Sequence, residues 1–143
     1  MNIRPYQAED EAHVLALWRA CGLTKPWNDP LADIARKLTV QPEMFLVGTL
    51  PDAGREEVMA SVMCGYDGHR GWVNYLAVAP AHRKHGFARA LMHEAERLLT
   101  QRGAAKLNLQ VRTSNAEVLA FYARLGYVQD DVVSLGKRLI SDQ

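Results

Sequence analysis

The sequence predicts an α+β domain with a mixed sheet, and three observations carry that expectation. Runs Met44–Leu50, Glu57–Tyr66 and Trp72–Val78 are rich in apolar, aromatic and β-branched residues and are joined by PDAGRE and DGHRG, the turn chemistry of an antiparallel meander. After them the apolar spacing changes from a strand period to a helical one between about Gly86 and Arg102, then returns to alternation in KLNLQV. The order β-α-α-β-β-β-α-β-α-β-β mixes the two element types along the whole chain. At 143 residues the chain suits one domain, residues 1–143, with a single substantial core.

Each element has a local reason. Asn2–Pro5 reads as a short strand. AEDEAHVLALWRACG then places Val14, Leu17 and Trp18 on one helical face and ends at Gly22. LTKPW is an exposed connector, and WNDPLADIARKL offers Asp29 as N-cap with Pro30 at the first helical position, so a second helix should run to about Leu38. In KLNLQV, Leu107, Leu109 and Val111 alternate against Asn108 and Gln110, a strand with two distinct faces. Asn115 caps a fourth helix, whose apolar stripe is Val118, Leu119, Tyr122 and Leu125 and which stops at Gly126. Two closing strands are expected, around Tyr127–Val133 and Ser134–Leu139.

Composition narrows the function. Seventeen Lys and Arg stand against sixteen Asp and Glu, a net charge of +1, so no bulk field draws the chain to nucleic acid or an anionic membrane. No run approaches the length of a membrane span, and MNIRPYQAED carries acids where a signal peptide would be apolar, so a cytoplasmic protein is expected. Cys21 and Cys64 have neither metal nor redox spacing and read as small buried hydrophobes. His82, His85 and His93 form no ligand set, and no His-Glu-x-x-His occurs, so no metal is expected.

The most informative stretch is RKHGFARALMHEAE, residues 83–96. Basic side chains and one glycine precede a helix start, where unpaired N–H groups and the positive end of the helix dipole favour an anion. Phosphate fits that place. The alternative is a tight turn at Gly86 with solvated cations around it. Gly-x-Gly-x-x-Gly is absent, and no Gly-Lys-Ser/Thr follows a phosphate-loop spacing, so neither a dinucleotide fold nor a P-loop is indicated.

Val78-Ala-Pro80, Arg83-x-x-Gly86-x-Ala88 and the Asn115–Tyr127 stretch resemble the signature segments of the GNAT superfamily of N-acetyltransferases. The resemblance spans nearly the whole chain, and the second half is similar to bacterial YpeA-type and ribosomal-protein-acetylating members. It implies a three-layer α/β/α fold whose mixed, mostly antiparallel sheet has about seven strands and four helices and splays between strands 4 and 5. It also implies acetyl-CoA as co-substrate. The diphosphate would rest on Arg83, Lys84, His85, Gly86, Phe87 and Ala88, with Arg89 beside them. Pantetheine would fill the gap between Tyr75–Val78 and Leu107–Val111, paired to backbone near Leu76, Ala77 and Val78, and an N–H of that strand would polarise the thioester carbonyl. By the same resemblance Asn115 lies near pantetheine, and Tyr122 protonates the departing sulfur.

Each assignment has a plainer rival. Tyr122 is also explained as a packed helix tyrosine, Asn115 as an N-cap, and Arg83, Lys84, Arg89 and Lys106 as solvated charges. Relatives that acetylate a ribosomal protein carry a glutamate where LQVRTSN has Gln110, and a glutamine cannot accept a proton. The amine's proton would then leave through ordered water to Asp67, His69 or another nearby group, or the amine would arrive neutral. Tyr66, Asp67 and His69 form either an ordinary hairpin turn or one wall of an acceptor pocket, and Trp27 and Asn28 of the connector form the other candidate wall. Two functions follow. One is an N-acetyltransferase acting on a primary amine, small molecule or protein, by direct attack in a ternary complex. The other is a non-catalytic acetyl-CoA sensor or interaction module. A monomer or homodimer fits either.

Overall fold

The computed structural model describes residues 1–140. Among them, β1 (Asn2–Pro5), α1 (Glu11–Ala20), α2 (Pro30–Lys37), β2 (Phe45–Asp52), β3 (Arg55–Tyr66), β4 (Gly71–Val78), α3 (Phe87–Gln101), β5 (Leu107–Asn108) and α4 (Ala116–Arg124) follow one another along the chain. The strands form one sheet in the order β1-β2-β3-β4-β5. β2, β3 and β4 pair antiparallel, as the turn chemistry predicts, β1 adds antiparallel to β2, and β5 joins β4 in parallel.

Strand alternation sorts the core into two layers. Phe45 and Val47 of β2 face α1 and α2, packing with Val14, Leu17, Trp18 and Ile34. Leu46 between them faces the other way, toward Leu91, Met92, Ala95 and Leu99 of α3 and Tyr122 of α4. Helices thus cover both faces of the sheet, the expected three-layer arrangement. A polar chain crosses the first layer: the Trp18 indole donates to Ser61 Oγ at 2.9 Å, and Ser61 Oγ donates to the Tyr75 carbonyl at 2.9 Å. The Trp18 ring stacks on Tyr75 with centroids 3.8 Å apart.

The helix caps form where the sequence places them. Asp29 accepts from the Ala32 N–H at 3.2 Å, and Asn115 accepts from the Val118 N–H at 3.3 Å. α4 ends at Gly126, whose φ of 93° lets the Tyr127 N–H reach back to the Tyr122 carbonyl at 3.0 Å.

Four expectations are corrected. The described residues hold five strands, not about seven: neither Tyr127–Val133 nor Ser134–Leu139 is a strand. β5 is only Leu107–Asn108, so it offers almost no ladder for a further strand to extend. β propensity without a paired edge does not make a strand. Beyond Tyr127, side-chain bonds tie this segment to the body, Lys106 to Asp130 at 2.7 Å and Gln110 to Ser134, and Val128, Val132, Val133, Leu135 and Leu139 stay exposed. Leu119 lies on the outer side of α4, exposed, because the layer it would join is filled by Val118 and Tyr122. Cys21 is only partly buried, at the α1 end, where its thiol donates to the Val78 carbonyl at 3.3 Å.

Candidate active site

The outer edge of β4 opens partway along its length. β4 and β5 pair at Gly71 with Leu107 and at Trp72 with Asn108, and there the pairing stops, while β3 continues to hold β4 as far as Val78. The register between β3 and β4 shifts in the same place, and Tyr75 takes a φ of 53°, a left-handed conformation that costs a bulky residue strain. Just where the strands part, Asn108 Oδ1 is enclosed yet has no hydrogen-bond donor among the described residues. An enclosed acceptor without a partner carries a desolvation cost that an arriving N–H donor would remove.

β4 leads through a short 3₁₀ turn, Pro80–His82, into the basic loop. Gly86 N-caps α3 with φ 79°, and Lys84 has φ 67°, so the loop turns back on itself twice before the helix begins. No side chain caps α3, which leaves its first N–H groups facing outward. Lys84, His85 and Arg89 are exposed, whereas Phe87 and Ala88 lean on the α3-side core. Arg83 folds back, its Nε donating to the Val78 carbonyl at 3.2 Å. That carbonyl, shared with the Cys21 thiol, is therefore engaged within the chain.

Tyr122 sits on α4 within the α3-side core, only 8% exposed, edge-on to Phe121 and Tyr127. Its hydroxyl bonds to nothing among the described residues and is not among the enclosed, unpartnered atoms, so it keeps access to the surface. Burial pushes its pKa up to about 12, which holds the phenol protonated at neutral pH. Tyr127 differs. It is also pushed upward, by burial and by the hydrogen bond it donates to Glu96 at 2.6 Å.

On the α1/α2 side, the connector is pinned to the distorted strand. The Asn28 amide donates to the Tyr75 hydroxyl at 2.6 Å, and that hydroxyl donates to Asp33 at 2.6 Å. Trp27, 45% exposed, lies under the Arg112 guanidinium, 4.6 Å from ring to cation, so the connector also touches the segment after β5. Trp27 and Asn28 thus belong together at the opening. Gln110 is exposed, its amide donating to Ser134, and Asn115 spends its oxygen on the α4 cap.

Farther along β4 a cavity of about 240 Å³ lies among Lys37, Gln41, Cys64, Tyr66, Trp72 and Asn74. Asp67 stands at its rim with three donors on its carboxylate: the His69 and Arg70 N–H groups at 2.8 and 2.7 Å and the Trp72 indole at 3.1 Å. The backbone bonds from Arg70 and His69 hold Asp67 below the usual carboxylate range. His69 contributes a main-chain bond to this turn, and its ring is exposed. Tyr66 and Asp67 therefore reach the cavity, and the histidine does not line it.

The family model of the acetyltransferase (GNAT) family matches residues 11–127. The chain belongs to this family. An acetyltransferase of Yersinia enterocolitica is 48% identical over 143 residues, covering 100% of this chain and 99% of that protein. An acetyltransferase of Sodalis glossinidius is 49% identical over 144 residues, covering 100% and 99%. Among solved structures, Ard1 of Thermoplasma volcanium superposes with TM-score 0.72 at 25% identity, over 89% of this chain and 82% of that one. The NatB acetyltransferase complex bound to CoA and MES shares the fold, with TM-score 0.77 at 22% identity over 90% and 84%. The protein is thus a GNAT acyltransferase dependent on acetyl-CoA. No described helix is long and apolar enough to cross a membrane.

In this GNAT chain, several residues at the opening escape sequence reading. Tyr75 reads as an ordinary β residue, and its positive φ has no sequence signal. Nothing in the α2 sequence PLADIARK singles out Asp33 or Lys37. Asn108 is visible only as the polar side of an alternating strand, and nothing in LQVRTSN singles out Arg112.

Proposed function

We propose that this GNAT enzyme acts as one catalytic domain that transfers the acetyl group of acetyl-CoA to a primary amine, by direct attack with both substrates bound. The observation that carries the reading is the parting of β4 from β5 after Trp72 and Asn108, and an uncapped α3 N-terminus at Gly86 and the unpartnered hydroxyl of Tyr122 support it. The NatB complex, which has this fold, is bound to CoA.

Acetyl-CoA, when bound, supplies the acetyl group as a thioester. The residues present suit such a guest. Lys84 and Gly86 hold left-handed conformations that turn the loop's main chain outward, and the diphosphate would rest on loop 83–88 through those N–H groups, with Arg89 and the terminal nitrogens of Arg83 nearby. The unpaired edge of β4 near Leu76 and Ala77 presents main-chain groups to pantetheine, and Asn108 Oδ1 accepts an N–H from the occupant of the gap. Since the Val78 carbonyl is held by Arg83 and Cys21, pairing falls to the earlier residues.

Tyr122 keeps its proton for the departing sulfur because burial disfavours the phenolate. The incoming amine gives up its proton through ordered water: Gln110 is no base, and Asp67, held ionised by three donors, is a poor one. Cys64 is a poor nucleophile for a covalent acetyl-cysteine route. Cys64 is buried, its thiol donates to the Met44 carbonyl at 3.3 Å, and burial pushes its pKa up to about 11. Free-thiol release from acetyl-CoA across an amine panel, with calorimetry of CoA binding, tests the reading. Cofactor heat without thiol release would favour a sensor, and no heat would overturn the cofactor site.

A further inference from the structure

β3 outruns β2. Its last residues, Cys64–Tyr66, lie beyond Phe45, where the β2 ladder begins, so their backbone groups on that side have no strand partner. Two side chains replace the missing strand. Gln41 spends its amide on Tyr66, its oxygen accepting from the Tyr66 N–H at 2.8 Å and its nitrogen donating to the Tyr66 carbonyl at 3.0 Å. Lys37 donates one N–H to the Cys64 carbonyl at 2.6 Å. The Gln41 amide uses both ends in this way, whereas an ammonium has three donors and a charge.

That charge has no salt-bridge partner among the described residues, and Glu43 acts on it only at longer range. Lys37 is half-buried on the cavity wall, and the charged groups around it are committed elsewhere. Glu43 is paired with Arg102 outside the cavity. Asp67 is exposed at the rim with its three donors, where solvent screens it. Cys64 is a buried thiol whose pKa is raised. Burial pushes the Lys37 ammonium down from its usual value, as expected for a cation short of an anion. The same cavity is walled by Trp72 and Asn74, the β4 residues immediately before the distortion at Tyr75, where the strand opens.

We infer that this cavity binds the anionic end of the acceptor, a carboxylate, with the Lys37 ammonium as its counter-ion and the Asn74 amide beside it. The inference rests on the acetyl-transfer reading above and gives the substrate a class: amines that carry a carboxylate, such as an amino acid or an acidic peptide. Trp72 and Tyr66 supply the apolar wall for the few carbons between the two ends. Lys37 is a specificity residue in this scheme, acting on the substrate at the end away from the reacting nitrogen.

The test uses the full chain, labelled with ¹⁵N, and a matched pair of probes, N-acetylglycine and N-acetylglycinamide, which differ only in the charge. N-acetylglycine should shift the amide signals of Cys64–Asp67 and the Trp72 indole at a concentration at least about tenfold below that needed for the glycinamide, a ratio equal to about 1.4 kcal/mol. Lys37→Gln retains an N–H for the Cys64 carbonyl without the charge, so it should remove the preference while the fold persists. Equal titration by the two probes, no titration by either, or a preference that survives Lys37→Gln overturns the inference. So does tighter binding of 1,4-diaminobutane than of N-acetylglycine, which would make Asp67 the recognising group. Calorimetry of CoA on the same samples reports separately on the cofactor site, so a failure there leaves the carboxylate result readable.

Discussion

The Asn28 amide and the Tyr75 hydroxyl meet at 2.6 Å, joining the α1–α2 connector to the one residue of β4 that leaves extended conformation. The same hydroxyl donates to Asp33, so one phenol holds both the connector and the start of α2 against the sheet. A strained backbone persists only where its surroundings over-determine it, and these bonds, with the Trp18 stack and the Ser61 hydroxyl on the Tyr75 carbonyl, are those surroundings.

Tyr75→Phe removes two hydrogen bonds and leaves Asn28 and Asp33 without their shared partner. Unfolding in urea should show a loss of about 1–3 kcal/mol. With the connector released, the acceptor KM should rise while CoA affinity in calorimetry holds. A variant as stable as the parent would show that the phenol is not what pins the connector.

Tyr122→Phe preserves the ring packing against Phe121 and Tyr127 and deletes the proton. Turnover should fall by about 10²-fold or more, with CoA affinity unchanged. Stability supplies a second readout. The folded pKa of Tyr122 is raised to about 12 from an ordinary value of 10, so the folded state binds the proton more tightly than the unfolded one. Its contribution is complete below pH 10 and is lost as pH rises toward about 12. The Phe variant should lose that part of the alkaline decline in denaturant midpoint.

Gly86→Ala separates strain from crowding. An added Cβ at Gly86 meets nothing within 4 Å, so its cost is the left-handed backbone at φ 79°. Stability should fall by about 1–2 kcal/mol, and CoA should bind more weakly because the loop's N–H groups move. Lys84→Gly should shift stability the opposite way, since Lys84 holds φ 67° with a side chain attached. Equal stabilities for all three proteins would refute this account of the loop.

The two cysteines should part company under alkylation. Cys21 is partly exposed, whereas Cys64 is buried with a thiol pKa raised to about 11. Iodoacetamide at pH 8, followed by mass spectrometry, should label Cys21 in the native protein and Cys64 only in denaturant. Native labelling of Cys64, blocked by acetyl-CoA, would reopen the covalent route.

Local chemistry was legible along the chain. Asp29 before Pro30, Asn115 before its helix and the turns between β2, β3 and β4 act within a few residues of themselves, and all formed where the residue types placed them. The basic turn before α3 was legible for the same reason, since Gly86 and the helix start are neighbours. The closing strands failed because alternation between Tyr127 and Leu139 says only that a strand would tolerate those residues.

By itself, then, the sequence determined where helices begin, where turns fall and which faces are apolar, because caps, turn residues and periodicity are short-range preferences. Only the tertiary structure decided which strand edges go without a partner. The early end of β5, the left-handed Tyr75 and the Lys37 cation beside Cys64 all follow from distant segments that do or do not arrive to complete a ladder or a charge pair, and spacing along the chain carries no record of that.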